Sequence, residues 1–497
     1  MRKFVALTLG IAAGIFCFTA AAGLTDSRLW ATAAAAMAVG LTIHLARRQS
    51  NLVIEESACP RGLKIASGMA AIMALVQLAR LAVFTLDASQ VAYSSIPSSE
   101  WETQHSCLSA YFVAAQSVDS VPNVYDGSLY SMPDDDPTAI RKPRMLGPFR
   151  IDVFEYPPPF LLLPRALLRL TPDFMHLRML WFGLGGGIVL FASLMISRLL
   201  GPVCGTRALL LSPFLWMALP TLSTFQKGNV QAMVIASSML AMALFKRQRW
   251  AMGGALLAFV TISKLYPGLL LLYLLARRQW RAVGSTAILA IVFTLWTLLD
   301  LGWAPYRAFL DHLPGLLGGE AFPAFRNPAA QAINFSIPGL VFKLKLFGVP
   351  GMGFPAAKLV GWVFTLVAVA ATVYAARRST RESGQPPAWL AILILATLRS
   401  PFLPQGYAAF PALWLLTLLA ASYAASPKVL FLFLGTWAAL NIYWPTDWPI
   451  DPRLLAVVSL VPQLLTALLA IFALRLKGEM EQEGGGGNSG DSRGIVV

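Results

Sequence analysis

Long apolar runs recur along the whole chain and constrain its fold more than any other feature. Each run has roughly 18 residues or more, which is enough to cross a hydrocarbon core of about 30 Å. A backbone exposed to lipid must satisfy its hydrogen bonds internally, so such runs fold as helices. The chain is 57% hydrophobic and only 13% charged, whereas a soluble domain has about 25% charged residues. The sequence therefore predicts an all-α, polytopic membrane protein.

Twelve apolar runs are candidate spans. They lie at 4–24, 29–46, 65–86, 176–199, 205–221, 229–245, 281–301, 355–376, 387–400, 405–424, 429–444 and 454–475. The N-terminal run resembles a signal peptide, but a second apolar run follows it at once, so we expect an uncleaved first span. Together with the hairpin described next, we expect about 12 to 14 membrane segments.

The stretch 251–276 differs from the other runs. Basic clusters flank it, KRQRW at 246–250 and RRQWR at 277–281. A single crossing would put these clusters on opposite faces, against the tendency of basic residues to stay on the cytoplasmic side. Lys264 and Pro267 interrupt the run. We therefore predict a broken hairpin whose tip carries Lys264 to the opposite face, with both chain termini cytoplasmic.

The loops indicate one membrane domain over 1–480 and a disordered Gly-rich tail over 481–497. The largest extracytoplasmic loop, 87–175, is expected to contain interfacial helices, such as one over 108–118. The net charge of +15 suits cytoplasmic loops facing anionic lipid. It argues against nucleic-acid binding, because no soluble basic domain is evident. The four cysteines have no CxxC spacing, so neither a disulfide framework nor a metal site is predicted.

Polar residues that share the extracytoplasmic face are the candidates for chemistry, since ionisable groups near a membrane interior usually serve a function. A cation there can hold a lipid phosphate, and a carboxylate or imidazole beside it can act as a general base. These residues are Asp87, Glu102, His105, Asp119, Asp126, Glu155, Lys227, Asn229, Gln231, Lys264, Arg399 and Gln405.

Four segments resemble motifs of glycosyltransferase family 87. FEYPPPFLLLPRALL (154–168) and the long stretch that starts at GNVQ and ends at RRQWRA (228–282) are the closest matches. YFVAAQ…NVYDGSLY (111–130) and RSPFLPQGY (399–407) are weaker matches. The resemblance implies a GT-C-like fold and an inverting transferase on the extracytoplasmic face of a bacterial inner membrane. It also implies a polyprenyl-phosphate sugar donor, typically of mannose or a related hexose, and a lipid or glycan acceptor.

The resemblance further implies a carboxylate base in the first large external loop. The family's usual aspartate falls at Cys107 in this chain, so the candidates for the base are Glu102, His105 and Asp87. The alternative for Glu102 and His105 is a polar surface turn, and the alternative for Asp87 is a helix end. The departing phosphate makes a metal non-obligatory, and no cofactor is implied.

Other residues are candidates for substrate binding. Lys264 and Lys227 are candidates for the donor phosphate, and the alternative for either lysine is snorkelling to the interface. Arg399 precedes a helix-breaking Ser-Pro pair, and the alternative for Asp126 is a turn residue. The full set of expected substrate-binding residues is Lys227, Asn229, Gln231, Lys264, Arg399, Tyr156 and Asp126.

Two other functions stay open at this point. A transporter or flippase of lipid-linked sugars would usually show broken helices in matching halves, and only the stretch 251–276 is interrupted in this way. A non-catalytic, GT-C-like protein of cell-envelope assembly is the second alternative, because the family aspartate is absent at its expected position.

Overall fold

The computed structural model describes residues 2–48, 59–132, 142–378, 384–423 and 426–475. Within these ranges the chain forms helices throughout, apart from three short strands in the first large loop. The helices are α1 Arg2–Ala22, α2 Arg28–Arg48, α3 Arg61–Leu86, α4 Glu100–Gln104, α5 Cys107–Ser117, α6 Leu162–Leu168, α7 Phe174–Leu199, α8 Gly201–Trp216, α9 Leu219–Gln226, α10 Gln231–Lys246, α11 Trp250–Lys264, α12 Gly268–Ala276, α13 Trp280–Leu301, α14 Ala304–Gly318, α15 Pro328–Ala332, α16 Gly339–Leu346, α17 Phe354–Arg378, α18 Gln385–Leu398, α19 Gln405–Ser422, α20 Pro427–Leu440 and α21 Pro452–Arg475. The strands are β1 His105–Ser106, β2 Met145–Leu146 and β3 Phe149–Ile151.

Seven described helices are long and apolar enough to cross a membrane, namely α1, α3, α7, α13, α17, α19 and α21. Helices α8 and α9 form an eighth candidate, broken and bent by 65°. Each of these lies where a span was predicted, which confirms an all-α polytopic membrane protein. The predicted spans 229–245, 387–400 and 429–444 correspond to the shorter apolar helices α10, α18 and α20. Helix α2 is not among these candidates, and the predicted tail lies outside the described residues.

The broken hairpin is confirmed by the contacts on either side of it. A Cβ added to Gly254 near the start of α11 would lie 2.7 Å from the Ser285 hydroxyl near the start of α13. Further along the same two helices, Phe259 and Phe293 pack edge to face. Helices α11 and α13 therefore run in the same direction, which requires that the chain return to its starting side through α12. Lys264 is the last residue of α11 and lies at the turn.

The first large loop folds back onto the helices. Strand β3 pairs in parallel with β1 and antiparallel with β2, and His105 lies opposite Arg150. The predicted helix over 108–118 is present as α5, and it is buried within the protein. Leu108, Tyr111 and Ala114 are each at most 1% exposed. The helix carries apolar or small residues nearly all round, which is typical of a buried helix rather than an interfacial one.

Helices α18 and α19 form the centre of the bundle. Their residues are almost entirely buried, and α19 packs against α8, α9 and α21. The segment between α18 and α19 contacts the segment before α16, where Asn334 pairs with Pro404. The beginning of α19 lies beside the first large loop, because the Tyr407 hydroxyl contacts Cys107 Sγ.

Candidate active site

A buried ion pair joins Glu102 in the first large loop to Lys227, the residue that directly follows α9. Lys227 Nζ lies 2.6 Å from Glu102 Oε1, with side chains 5% and 1% exposed. Tyr443 donates to the same carboxylate oxygen at 2.9 Å, and Ser223 donates to the other oxygen at 2.8 Å. The Glu102 carboxylate is therefore fully occupied by partners within the protein.

The capping interactions of helix α4 hold Glu102 in position for this ion pair. Ser99 caps α4 by accepting from the Glu102 backbone N–H, and the Ser99 hydroxyl donates to Asp447 at 2.7 Å. The Gln226 amide donates to the Glu102 carbonyl at 2.6 Å. These contacts connect α4 to α9 and to the loop before α21. The ion pair therefore stabilises the packing of these three segments on one another.

Directly after α4, three different ligand types converge. His105 Nε2 lies 3.5 Å from Cys107 Sγ and 3.6 Å from a carboxylate oxygen of Asp152. The ligand atoms of these three residues all lie within 4.8 Å of one another. Trp101 stacks on the His105 ring at 4.5 Å between centroids. We call His105, Cys107 and Asp152 the mixed-ligand cluster.

Burial controls the protonation of this cluster. It lowers the pKa of His105 well below its ordinary value and raises the pKa of the Cys107 thiol to about 12. It also raises the pKa of Asp152 to about 6. Asp152 is the most exposed of the three, with 36% of its side chain accessible, so water solvates part of its carboxylate. At neutral pH the imidazole is neutral and the thiol is protonated.

A second carboxylate lies three residues further on, in the extended chain before α6. Burial, reinforced by the charge of Asp152, raises the pKa of Glu155 well above its ordinary value, while Lys264 opposes this rise. Lys264 Nζ lies 5.1 Å from the centre of the Tyr156 ring. The Tyr156 hydroxyl bonds to that of Tyr111 at 2.9 Å. The hairpin tip thus places a cation beside Tyr156, where its charge acts on Glu155.

The residues after Lys227 connect these groups. The Cys107 backbone N–H donates to the Lys227 carbonyl at 2.8 Å, and the Asn229 amide donates to Cys107 Sγ at 3.3 Å. Asn229 also accepts from the Gln231 N–H, and Gln231 accepts from the Tyr266 hydroxyl at 3.2 Å. Asn229 and Gln231 are therefore buried residues that position Cys107 and Tyr266 through hydrogen bonds.

Three residues predicted for the site have their contacts elsewhere. Asp87 ends α3, is exposed, and accepts from Ser89 in its own turn at 2.6 Å. Asp126 caps a short 3₁₀ turn by accepting from the Ser128 N–H. Arg399 donates to Thr365 at 3.0 Å. Among the described residues, these contacts do not join any of the three to the carboxylates at the hairpin tip.

Several residues at this place were not predicted from the sequence. Asp152 comes two residues before the FEYPPP motif, which was the one available indication, and its partner His105 is distant in the chain. Tyr407 lies 2.9 Å from Cys107 Sγ. Tyr443 contacts both Glu102 and Lys227. Tyr443 has no distinctive local pattern, and Tyr407, although it ends the RSPFLPQGY segment, reaches Cys107 only through the packing of α19.

Comparison with known proteins agrees with the motifs. The model of glycosyltransferase family 87 matches residues 154–401, about half of the chain. The match includes Glu155, Tyr156, Lys227, Lys264 and Arg399, whereas the mixed-ligand cluster precedes it. Neither a curated protein nor a solved structure matches the chain. Since the family match coincides with the cation and carboxylate at the hairpin tip, this multi-pass membrane protein belongs to glycosyltransferase family 87.

Proposed function

We propose that the protein transfers a hexose, mannose or a close relative, from a polyprenyl-phosphate sugar to a lipid or glycan acceptor. The reaction would take place on the extracytoplasmic face of a bacterial inner membrane. The observation that carries this proposal is the position of Lys264, whose ammonium lies 5.1 Å from the centre of the Tyr156 ring and whose charge acts on the neighbouring Glu155 carboxylate. A phosphate-bound sugar donor and a hydroxyl acceptor need such a combination of one cation and one carboxylate.

The proposed step exchanges one bond for another. The acceptor oxygen attacks the anomeric carbon while a carboxylate takes the proton of the acceptor hydroxyl. The bond between that carbon and the phosphate oxygen breaks, and its electron pair leaves with the polyprenyl phosphate. Lys264 would stabilise the charge that grows on this phosphate. Attack opposite the leaving group inverts the anomeric centre, and departure of a phosphate does not require a metal.

Glu155 and Asp152 are the two candidates for the base. Both have a pKa raised by burial, which brings a carboxylate closer to the pH at which a base is most effective. Glu155 lies in the matched motif and is the carboxylate whose pKa Lys264 influences. We therefore favour Glu155 as the base. Tyr156 would line the substrate-binding site next to it.

Glu102, His105 and Asp87 have different roles in this proposal. The Glu102 carboxylate is held by Lys227, Tyr443 and Ser223, so it positions the loop. His105 belongs to the mixed-ligand cluster. Asp87 is bonded within its own exposed turn. Lys227, paired with Glu102, is likewise a positioning residue rather than a phosphate ligand.

The family match favours an enzyme over the two alternatives. A flippase for lipid-linked sugars would need no base, and a non-catalytic assembly protein would have no reason to retain carboxylates beside a cation. Glu155 and Lys264 both lie within the matched residues. Their proximity supports sugar transfer rather than transport.

Sugar transfer in proteoliposomes tests the proposal. Labelled polyprenyl-phosphate mannose, with the glucose and arabinose analogues in parallel, is supplied with a pool of lipid acceptors. We expect transfer by the wild type and a strong reduction of it in Lys264→Met, whereas Lys358→Met should resemble the wild type because Lys358 pairs with Glu320 at an exposed site. Absence of transfer from all three donors, in protein that is folded, would contradict the proposed donor class.

A further inference from the structure

The mixed-ligand cluster has the composition of a metal site. We propose that His105, Cys107 and Asp152 bind a divalent cation of the zinc class. Imidazole nitrogen, thiolate sulfur and carboxylate oxygen are the three donors that Zn²⁺ takes in proteins. Hard cations such as Mg²⁺ and Ca²⁺ prefer oxygen donors alone, so the sulfur and nitrogen select against them.

The distances suit a tetrahedral ion. With Zn–N and Zn–O bonds near 2.0–2.1 Å and a Zn–S bond near 2.3 Å, two ligands of a tetrahedron lie about 3.4 to 3.6 Å apart. His105 Nε2 is 3.5 Å from Cys107 Sγ and 3.6 Å from Asp152 Oδ2. All ligand atoms lie within 4.8 Å of one another. Only a small closing movement would therefore be needed to form the bonds.

The backbone holds the three ligands in place. His105 is in β1 and Cys107 begins α5, while Asp152 follows β3, which pairs with β1. The Asp152 N–H donates to the Ser109 hydroxyl at 3.0 Å, and Ser109 lies in α5. Stacking on Trp101 fixes the plane of the His105 ring. The ligands are thus organised by secondary structure rather than by flexible side chains alone.

Surrounding groups complete the site. Asn229 Nδ2 lies 3.3 Å from Cys107 Sγ, and the Tyr407 hydroxyl lies 2.9 Å from it. Both can donate hydrogen bonds to a thiolate, as the groups around metal-bound sulfur commonly do. The ammonium of nearby Lys227 is paired with Glu102, so its charge is compensated. Metal binding would displace the thiol proton of Cys107.

Three protein ligands leave one position of the metal for water or a phosphate oxygen. If Asp152 is a ligand, Glu155 is the carboxylate that remains to act as base, a consequence that rests on the proposed function. The metal site itself does not depend on that function. Its occupancy is measured without any substrate.

Metal content of the full chain tests the proposal. The protein purified in detergent is equilibrated with Zn²⁺, freed of unbound metal, and analysed by mass spectrometry. We expect about one bound ion per chain, and its loss in Cys107→Ser and Asp152→Asn. Cys17→Ser is the matched control, because Cys17 is an exposed cysteine away from the cluster, and it should retain the metal. Glu155→Gln should also retain it while transfer falls.

Cobalt provides a second readout that needs no variant. Co²⁺ bound to wild type should give a thiolate-to-cobalt charge-transfer band, and Zn²⁺ should displace it. Wild type that binds neither ion, or that binds Co²⁺ without this band, would overturn the site, as would full metal retention in folded Cys107→Ser. Bound metal in a protein that transfers no sugar would contradict the proposed function and leave the metal site standing.

Discussion

The Lys227 ammonium lies 2.6 Å from the Glu102 carboxylate, and both side chains are buried between α4, α9 and the loop before α21. Removing one member of such a pair leaves an uncompensated buried charge, which costs about 3–5 kcal/mol. We therefore expect Lys227→Met to lower the midpoint of thermal unfolding in detergent sharply, because Glu102 loses its cation. The double variant Glu102→Gln, Lys227→Met should recover part of this loss, since no charge is left unpaired.

The comparison of the three variants distinguishes a structural role of Glu102 from a role as the catalytic base. Glu102→Gln alone should also unfold earlier than wild type, because the Lys227 charge is then unpaired. A Glu102→Gln protein with unchanged stability and a selective loss of kcat would instead identify Glu102 as a base. Glu100→Gln serves as the neighbouring control, since Glu100 forms an exposed pair with Arg150, and such pairs contribute little.

Replacing Glu155 tests the proposed base directly. Glu155→Gln keeps the size of the side chain but cannot accept the acceptor's proton, so kcat should fall by about 10²- to 10⁴-fold. KM for the donor should change little, because the amide leaves Lys264 in place. Glu320→Gln is the control at an exposed carboxylate. If Asp152→Asn abolished transfer while Glu155→Gln retained it, Glu155 would not be the base, and Asp152 would be the carboxylate that transfer requires.

The pH dependence of transfer follows from the same residue. Burial raises the pKa of Glu155 well above its ordinary value, the charge of Asp152 adds to this rise in the metal-free protein, and Lys264 lowers the pKa. A base must be ionised, so kcat/KM should fall as the pH drops through this raised pKa. Lys264→Met removes the stabilising positive charge and should shift the midpoint to higher pH. Profiles of residual activity between about pH 5 and pH 9 would show the shift, and a shift to lower pH would contradict it.

The sequence was sufficient to predict the helices and the hairpin. Apolar run lengths fixed most of the spans, and the basic clusters on both sides of 251–276 indicated the return of the chain. These are local properties, read within one segment at a time. The burial of α5 was not predicted, because the positions of its apolar residues are compatible with a surface helix and the burial comes from α6, α7 and β3.

The site was predictable only in part, because its pairs are distant in the chain. Lys264 and Glu155 were recognised as outer-face residues, and they influence each other across the hairpin tip. Glu102 was recognised as well, but its role depends on Lys227, which lies 125 residues away. Asp152 was missed because its partner His105 becomes its neighbour only through the pairing of β1 with β3. No local pattern specifies that pairing.

The turn of the hairpin contains an unfavourable backbone conformation. Leu265 has φ of 58°, a region that costs residues with a Cβ about 1–2 kcal/mol. Its side chain is 52% exposed, so little packing is lost on truncation. Leu265→Gly should therefore raise thermal stability or leave it unchanged, whereas Leu265→Val should lower it. Leu269→Gly is the matched control within α12, where loss of helix propensity and packing should be destabilising. A strong loss of stability in Leu265→Gly would contradict this account of the turn.

Close packing of α1 on α7 yields a prediction about the first apolar segment. A Cβ added to Gly183 would lie 2.4 Å from the Phe16 carbonyl oxygen and 2.6 Å from Ala20 Cβ. Both distances are shorter than any normal van der Waals contact of a Cβ atom. At Gly187, by contrast, nothing lies within 4 Å of an added Cβ. Small residues let membrane helices approach in this way. Gly183→Ala should therefore lower the unfolding temperature, because α1 must move away, while Gly187→Ala in the same helix should be neutral or slightly stabilising through its better helix propensity. Thermal unfolding of both variants in detergent measures the difference, and equal stabilities would mean that α1 is not packed on α7 in the mature protein, as would follow from its cleavage.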